Sequence, residues 1–333
     1  MPTSRSIISP ERRAAPVPVP ALASLLASAL PWALALAVFG YAFVAGGYLV
    51  TVMSFALIYA VFVTGLNLFM GYAGQVTFGH NAFAALSGYA SAVLTASYAW
   101  PPLAAFIAGM ALALAAALLV GFPTLRLKGH YLAMATLAIG LIVYEIAVQW
   151  QAVTGGYMGI SGIPPLGIGA FEIVSDRAQL VLLALVVALA IWSAMRLRAS
   201  RFGRALVAIA GSEDAARALG IDVAHYKLVA FLISAGYAAL AGSLFVHVVG
   251  FVSPEIFGLH MVVLAFTMLY VGGIGTAAGP LIGAVIISLL PETFRALKDY
   301  QDLAYGAGLI LLLIYAPKGL AALGDLVPRS RKP

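Results

Sequence analysis

The sequence predicts an all-α polytopic membrane protein of about ten transmembrane helices with broken or Gly-rich elements between some of them, and three observations predict it. Apolar residues make up 63% of the 333 positions and charged residues 9%, against roughly 45–50% and 25% in soluble domains. No Asp, Glu, Lys or Arg occurs between Arg13 and Arg126, a stretch that no soluble fold keeps in water. The apolar runs are continuous rather than alternating, which specifies helices with internally satisfied backbones and excludes an outer-membrane barrel.

Taken in order, ten segments approach the ~20 residues a helix needs to cross the hydrocarbon. They fall at roughly 22–44, 49–70, 78–98, 103–122, 130–149, 179–195, 227–250, 258–274, 280–296 and 303–319. The first 20 residues hold Arg5, Arg12 and Arg13 among five prolines and read as a flexible tail, not a cleaved signal peptide. Residues 21–320 form the membrane domain, and 321–333 form a second tail. Between the eighth and ninth segments, Gly272-Gly273-Ile274-Gly275-Thr276-Ala277-Ala278-Gly279 reads as either a turn or a re-entrant element.

Orientation follows from counting charges. With both termini in the cytoplasm, only Arg177, Arg295 and Lys298 of the 18 Lys and Arg fall outside, as the positive-inside rule requires. The net charge of +6 therefore belongs to topology and does not indicate nucleic acid. This orientation puts the loop 151–178 outside and the loop 196–227 in the cytoplasm. The outer loop, with Thr154-Gly155-Gly156 and Gly162-Ile163-Pro164-Pro165, is too rich in Gly and Pro for a regular helix. It reads as a solvated linker or as a platform for a soluble partner.

The loop 196–227 is the sizeable charged island of the chain. It opens with Arg201, Gly203 and Arg204. Ser212 is a good helix N-cap, and Glu213 and Asp214 place negative charge on the first turn, where the helix dipole favours it. Ala215, Ala216, Ala218 and Leu219 favour helix, and Gly220 suits the left-handed position just past its end. A helix of about seven residues is too short to stand alone and needs a surface to dock on.

Polar groups at membrane depth are few. Asn67, Gln75, His80 and Asn81 gather around the second and third segments among Gly65, Gly71, Gly74 and Gly79. They read either as hydrogen-bonded cross-links between helices or as part of a translocation pathway. Glu145 lies about one turn from the outer end of its segment and reads as an interfacial or a pathway carboxylate. His247 and His260 flank the outer loop around Ser253-Pro254-Glu255, where interfacial water would solvate them. A faint repeat, Gly71-x-x-Gly74 and Gly272-x-x-Gly275, hints at duplicated halves.

Asp214-Ala215-Ala216-x-x-x-Gly220 nearly reproduces the Glu-Ala-Ala-x-x-x-Gly signature of ABC importer permeases. Asp214 stands where Glu is usual, and no Ile-x-Leu-Pro follows at Ala230–Ser234. Three further stretches narrow the likeness: Gly65 through Gly71, Gly74 and Gln75 to Gly79-His80; Leu125-Arg126-Leu127-Lys128-Gly129 to Thr136; and Thr154-Gly155-Gly156 to Pro164. With Arg201-Phe202-Gly203-Arg204 through Tyr226-Lys227 they follow one order over roughly residues 48–319. The chain resembles the branched-chain amino acid ABC transporter permeases, in particular the M-type (LivM-like) subunit.

The resemblance implies a multi-pass subunit of the bacterial inner membrane that carries branched-chain amino acids and hydrolyses nothing itself. It implies a second homologous permease subunit, two cytoplasmic ATPase subunits that bind ATP-Mg, and a periplasmic substrate-binding protein. The 196–227 loop, with Ser212, Glu213, Asp214 and Gly220, would grip an ATPase. Urea or short amides are the runner-up substrates, and an ion-coupled secondary transporter is a competing class. The chain itself has no Gly-x-x-x-x-Gly-Lys-Ser/Thr loop to cradle a nucleotide, no cysteine and no His-Glu-x-x-His, so no cofactor or metal is expected on it. An intramembrane hydrolase would need a nucleophile–base pair or metal triad, and the sequence offers neither.

Overall fold

Continuous apolar runs leave the backbone no partner but itself, and they fold as helices. The computed structural model describes residues 47–168 and 171–293, together with the isolated positions 37, 306 and 310. Apart from those three positions, the predicted segments 22–44 and 303–319 lie outside the described residues, as do both tails. The eight segments between them are all helical: α1 (Gly47–Leu66), α2 (His80–Ala96), α3 (Pro102–Thr124), α4 (His130–Gln149), α5 (Asp176–Ala199), α8 (Val223–Val249), α9 (Leu259–Gly272) and α10 (Gly279–Thr293). Two further helices, α6 (Arg201–Gly211) and α7 (Glu213–Ala218), occupy the link between α5 and α8.

Among the described residues, six helices are long and apolar enough to cross a membrane: α1 with its extension to Tyr72, α3, α4, α5, α8, and α9 with the 3₁₀ turn that precedes it from Pro254. The α2 and α10 helices are shorter, at 17 and 15 residues. Successive helices alternate in direction. One end of the bundle gathers the close of α1, the α3–α4 link, α6, α7 and the α9–α10 turn, and we refer to it as the loop end. The opposite end carries the α4–α5 link and the α8–α9 link, which join through two-residue strands, β1 (Ile160–Ser161) against β4 (Phe251–Val252).

Small residues decide the packing, because lipid removes the hydrophobic drive between helices and leaves close backbone approach. The buried positions of α3 are Ala105, Gly109, Ala113, Ala117 and Gly121, one stripe at a period of four. The opposite face of that helix is exposed, including Leu119 and Phe122. The longest helix, α8, lies at the centre against α1, α2 and α3. Where α8 crosses α2, a side chain at Gly242 would strike the carbonyl of Ala84.

One boundary differs from expectation. The predicted segment 227–250 begins four residues earlier, at Val223, because the Asp222 carboxylate caps the helix by accepting from the His225 amide at 3.1 Å. Lys227 is thereby carried inside the helix, where it is buried. The Gly272–Gly279 stretch is a turn between α9 and α10. Its glycines let the two helices approach closely, since a side chain on Gly272 would overlap the Gly279 carbonyl.

The outer-loop candidate 151–178 is an ordered cap. A single helical turn (Gln151–Thr154), a 3₁₀ turn (Gly156–Met158) and two strand pairs, β1–β4 and β2 (Gly167–Ile168) with β3 (Phe171–Glu172), build it. His247 corrects the solvated expectation. It is buried at 2% exposure, with Nδ1 donating to the Pro164 carbonyl at 2.8 Å and Nε2 accepting from Ser91 Oγ at 2.7 Å. The cap folds back over the end of α8 and takes the water's place.

Candidate functional site

The chemistry of the described chain concentrates at the loop end, where α6 and α7 lie. Ser200 caps α6, accepting from the Gly203 amide at 3.3 Å. Gly203 itself sits against the carbonyls of Leu197 and Arg198, leaving no space for a side chain. One face of α6, with Ala205, Leu206 and Ile209, is buried, and Phe202 stacks on Tyr226 of α8 with centroids 5.4 Å apart. Arg201 and Arg204 are exposed, and Arg204 Nη1 donates to the Ala199 carbonyl at 3.0 Å.

The α7 helix follows after one residue. Ser212 caps it by accepting from the Ala215 amide at 3.2 Å. At its far end the Ile221 amide donates to the Ala216 carbonyl at 3.1 Å and the Gly220 amide to that of Arg217 at 3.0 Å. This is the Schellman pattern. It needs a left-handed residue, and Gly220 supplies φ +82°. Ala216 faces the bundle at 1% exposure, while Asp214, Ala215, Ala218 and Leu219 face away.

The two acids of α7 part company. Asp214 projects outward, pairing with Arg217 at 2.9 Å and Lys128 at 3.6 Å, all three largely exposed. Exposed pairs of this kind contribute little. Glu213 turns inward, and its Oε1 accepts from Lys227 Nζ at 2.9 Å and from Gln75 Nε2 at 3.1 Å. The sequence singled out both acids for the helix dipole and left Lys227 as a loop boundary. The signal for the pair was a lone lysine at the start of an apolar segment, 14 residues beyond the acid.

Asn67, Gln75, His80 and Asn81 are all buried, and each holds a different joint. Asn67 begins a π-helical extension of α1 (Asn67–Tyr72). Its Oδ1 accepts from the Gly275 amide at 2.7 Å and its Nδ2 donates to the Thr276 carbonyl at 2.7 Å. Gly71 lies in the same crossing, where a Cβ would come within 2.6 Å of the Gly275 amide nitrogen. Arg198 of α5 completes this joint, donating to the Gly275 carbonyl and standing 5.0 Å over the Tyr72 ring.

His80 sits among Phe69, Phe83 and Phe231. Ser234 donates its proton to the Gly65 carbonyl at 2.6 Å, so the ring's Nε2–H donates to Ser234 Oγ at 2.7 Å, and Nδ1 shares a 3.1 Å hydrogen bond with Thr77 Oγ1. The ring thereby links α1, α2 and α8. Farther along, Ser87 meets Ser243 at 2.6 Å. Asn81 Nδ2 donates to the Phe257 carbonyl at 2.8 Å, and its Oδ1 faces Gly140 of α4 without a hydrogen-bond partner. Glu145 does not join these residues. It is exposed on α4, near the opposite end of the bundle. Among the described residues no group of three His, Cys, Asp or Glu side chains is placed to hold a metal ion.

This arrangement is a hydrogen-bonded helical bundle with an outward-facing helix pair at one end, and comparison with known proteins gives it a family. Residues 48–316 match the family described as the branched-chain amino acid transport system / permease component. The chain belongs to this family. The high-affinity branched-chain amino acid transport system permease protein LivM of Escherichia coli strain K12 is 33% identical over 297 residues, covering 81% of this chain and 69% of the relative. LivM of Salmonella typhimurium is equally similar over 299 residues. LivH of the same organism is 28% identical over 284 residues, covering 79% of this chain and 90% of LivH. No solved structure matches the chain. The protein is a helical, multi-pass membrane protein of the transport-permease kind.

Proposed function

We propose that this permease is one transmembrane subunit of an ABC importer for branched-chain amino acids and that its α6–α7 pair is the surface an ATPase subunit grips. The observation that carries the reading is α7 itself. It is a six-residue helix, capped at both ends, seated on the bundle by Ala216 and turned outward along Asp214, Ala215, Ala218 and Leu219. A helix this short is marginal alone, and its open face sets the small Ala215 and Ala218 and the apolar Leu219 beside the exposed Asp214–Arg217 pair, a surface a partner's groove can close over.

Charge gives the orientation. Arg126, Lys128, Arg196, Arg198, Arg201, Arg204, Arg217 and Lys227 share the loop end, whereas Arg177 stands at the opposite end. The positive-inside rule then makes the loop end cytoplasmic. With the segments 22–44 and 303–319 added, the chain has ten spans and both termini inside. It acts in the bacterial inner membrane beside a second, homologous permease subunit and over two ATPases that bind ATP-Mg. The strand-capped face receives a periplasmic binding protein. Substrate recognition rests with that protein, because a branched-chain amino acid offers an apolar side chain and a zwitterion that need no dedicated ion pair in this subunit.

Reconstitution tests the reading. The chain is co-expressed with its neighbouring permease and ATPases and placed in liposomes with leucine-loaded binding protein. ATP-dependent leucine uptake is the expected result. Uptake by the chain alone, driven by an ion gradient, would assign it to secondary transport instead.

A further inference from the structure

We infer that Lys227 is a positioning residue that locks the docking helix α7 to the transmembrane bundle through Glu213. This deepens the docking reading proposed above and rests on it. Lys227 is the one lysine or arginine buried among the described residues, at 2% exposure. A charge is kept in such a place only when it is paired and hydrogen-bonded, because taking it from water costs several kcal/mol. Its partner is Glu213, whose side chain is 17% exposed.

Glu213 is also the point where three separate parts of the bundle meet α7. Lys227 belongs to the second turn of α8. Gln75 belongs to the α1–α2 link and is itself buried, its backbone amide donating to the Phe69 carbonyl at 3.2 Å. Lys128, from the α3–α4 link, stands 3.9 Å from the other carboxylate oxygen. Apart from this carboxylate, α7 sits on the bundle through Ala216 and the Ile221 turn. The Asp214 pairs lie in the open, where solvent weakens them.

A pull on the outer face of α7 therefore passes into α8 and the end of α1 through one enclosed carboxylate. In this structure α8 carries Ser234, Ser243 and His247, each hydrogen-bonded across to α2. Movement of α7 is thereby tied to two helices at the centre of the bundle, not absorbed in a loop.

The test uses the reconstituted transporter and the absence of cysteine from the chain. Ala218→Cys, on the exposed face, carries a single spin label in otherwise unmodified, Glu213→Gln and Glu213→Asp proteins. Glu213→Asp keeps the charge, which protects the fold, but shortens the reach to Lys227. Both variants are expected to mobilise the label while ATPase subunits still co-purify. Leucine moved per ATP hydrolysed should fall roughly tenfold or more, the order set by losing one buried charge-assisted contact. Lys227→Arg, which keeps the charge, should retain more of that ratio than Lys227→Met.

An immobile label with an unchanged ratio in both Glu213 variants would overturn the lock while leaving the docking reading intact. Failure of either variant to accumulate leaves the other to decide. Failure of both assigns the pair to folding and likewise overturns the proposal. Loss of ATPase co-purification from the unmodified chain would strike the docking reading itself.

Discussion

Replacing Leu219 with alanine removes three carbons from the tip of α7 and should weaken ATPase docking with little effect on the permease alone. Leu219 is 80% exposed and follows the last helical residue, so the undocked protein loses almost nothing; substitutions at such sites stay within about 0.5 kcal/mol. Docking is where the side chain matters. At ~0.8 kcal/mol per buried CH₂, three carbons that are four-fifths open correspond to about 2 kcal/mol on closure of a partner groove. That is roughly a thirtyfold rise in Kd. The assay is titration of the purified ATPase subunit onto the permease held in nanodiscs, by interferometry, with thermal unfolding of both permeases as the control. A change under about threefold, with unfolding unaltered, would show that Leu219 stays in water and would refute α7's open face as the docking surface.

Three other outcomes are expected. Gly71→Ala places a methyl group against Asn67 and the Gly275 amide and should destabilise the joint between the α1 extension and the α9–α10 turn by about 1–3 kcal/mol, read as a lowered unfolding midpoint in detergent. Gly220→Val forces a β-branched residue to φ +82° at a cost of about 1–2 kcal/mol. It should loosen α7 and reduce ATPase co-purification without preventing membrane insertion. Glu145→Gln should leave leucine uptake within about twofold, the span allowed to an exposed substitution. Abolished uptake would instead put this carboxylate in the substrate path.

Much of this architecture is written in local chemistry. The apolar runs, the Ser212 cap and the left-handed Gly220 need only neighbouring residues to be understood, and the described structure carries all three. The Gly71 and Gly275 segments stood out as a faint repeat, but their contact joins positions 204 residues apart and depends on how α9 and α10 pack. The phase of α7 was equally hidden. Glu213 and Asp214 are adjacent and chemically similar, and only the tertiary seat of Ala216 decides which of them turns toward Lys227. Gln75 and His80 stand out in the sequence, as cross-links between helices or as pathway groups, because polar groups in apolar segments are rare. Their partners, Glu213 and Ser234, lie 138 and 154 residues away. His247 was misjudged because its covering carbonyl, Pro164, comes from another loop.

The central claim is that α7 meets an ATP-hydrolysing partner, and photo-crosslinking from position 218 tests it most directly. A photoreactive residue replacing the exposed Ala218 in the assembled transporter should yield one main adduct, with the ATPase subunit. An otherwise identical probe at the buried Ala216 should yield adducts within the permease. Adducts from position 218 with lipid or with the permease alone, in a complex that still contains the ATPase, would contradict the account.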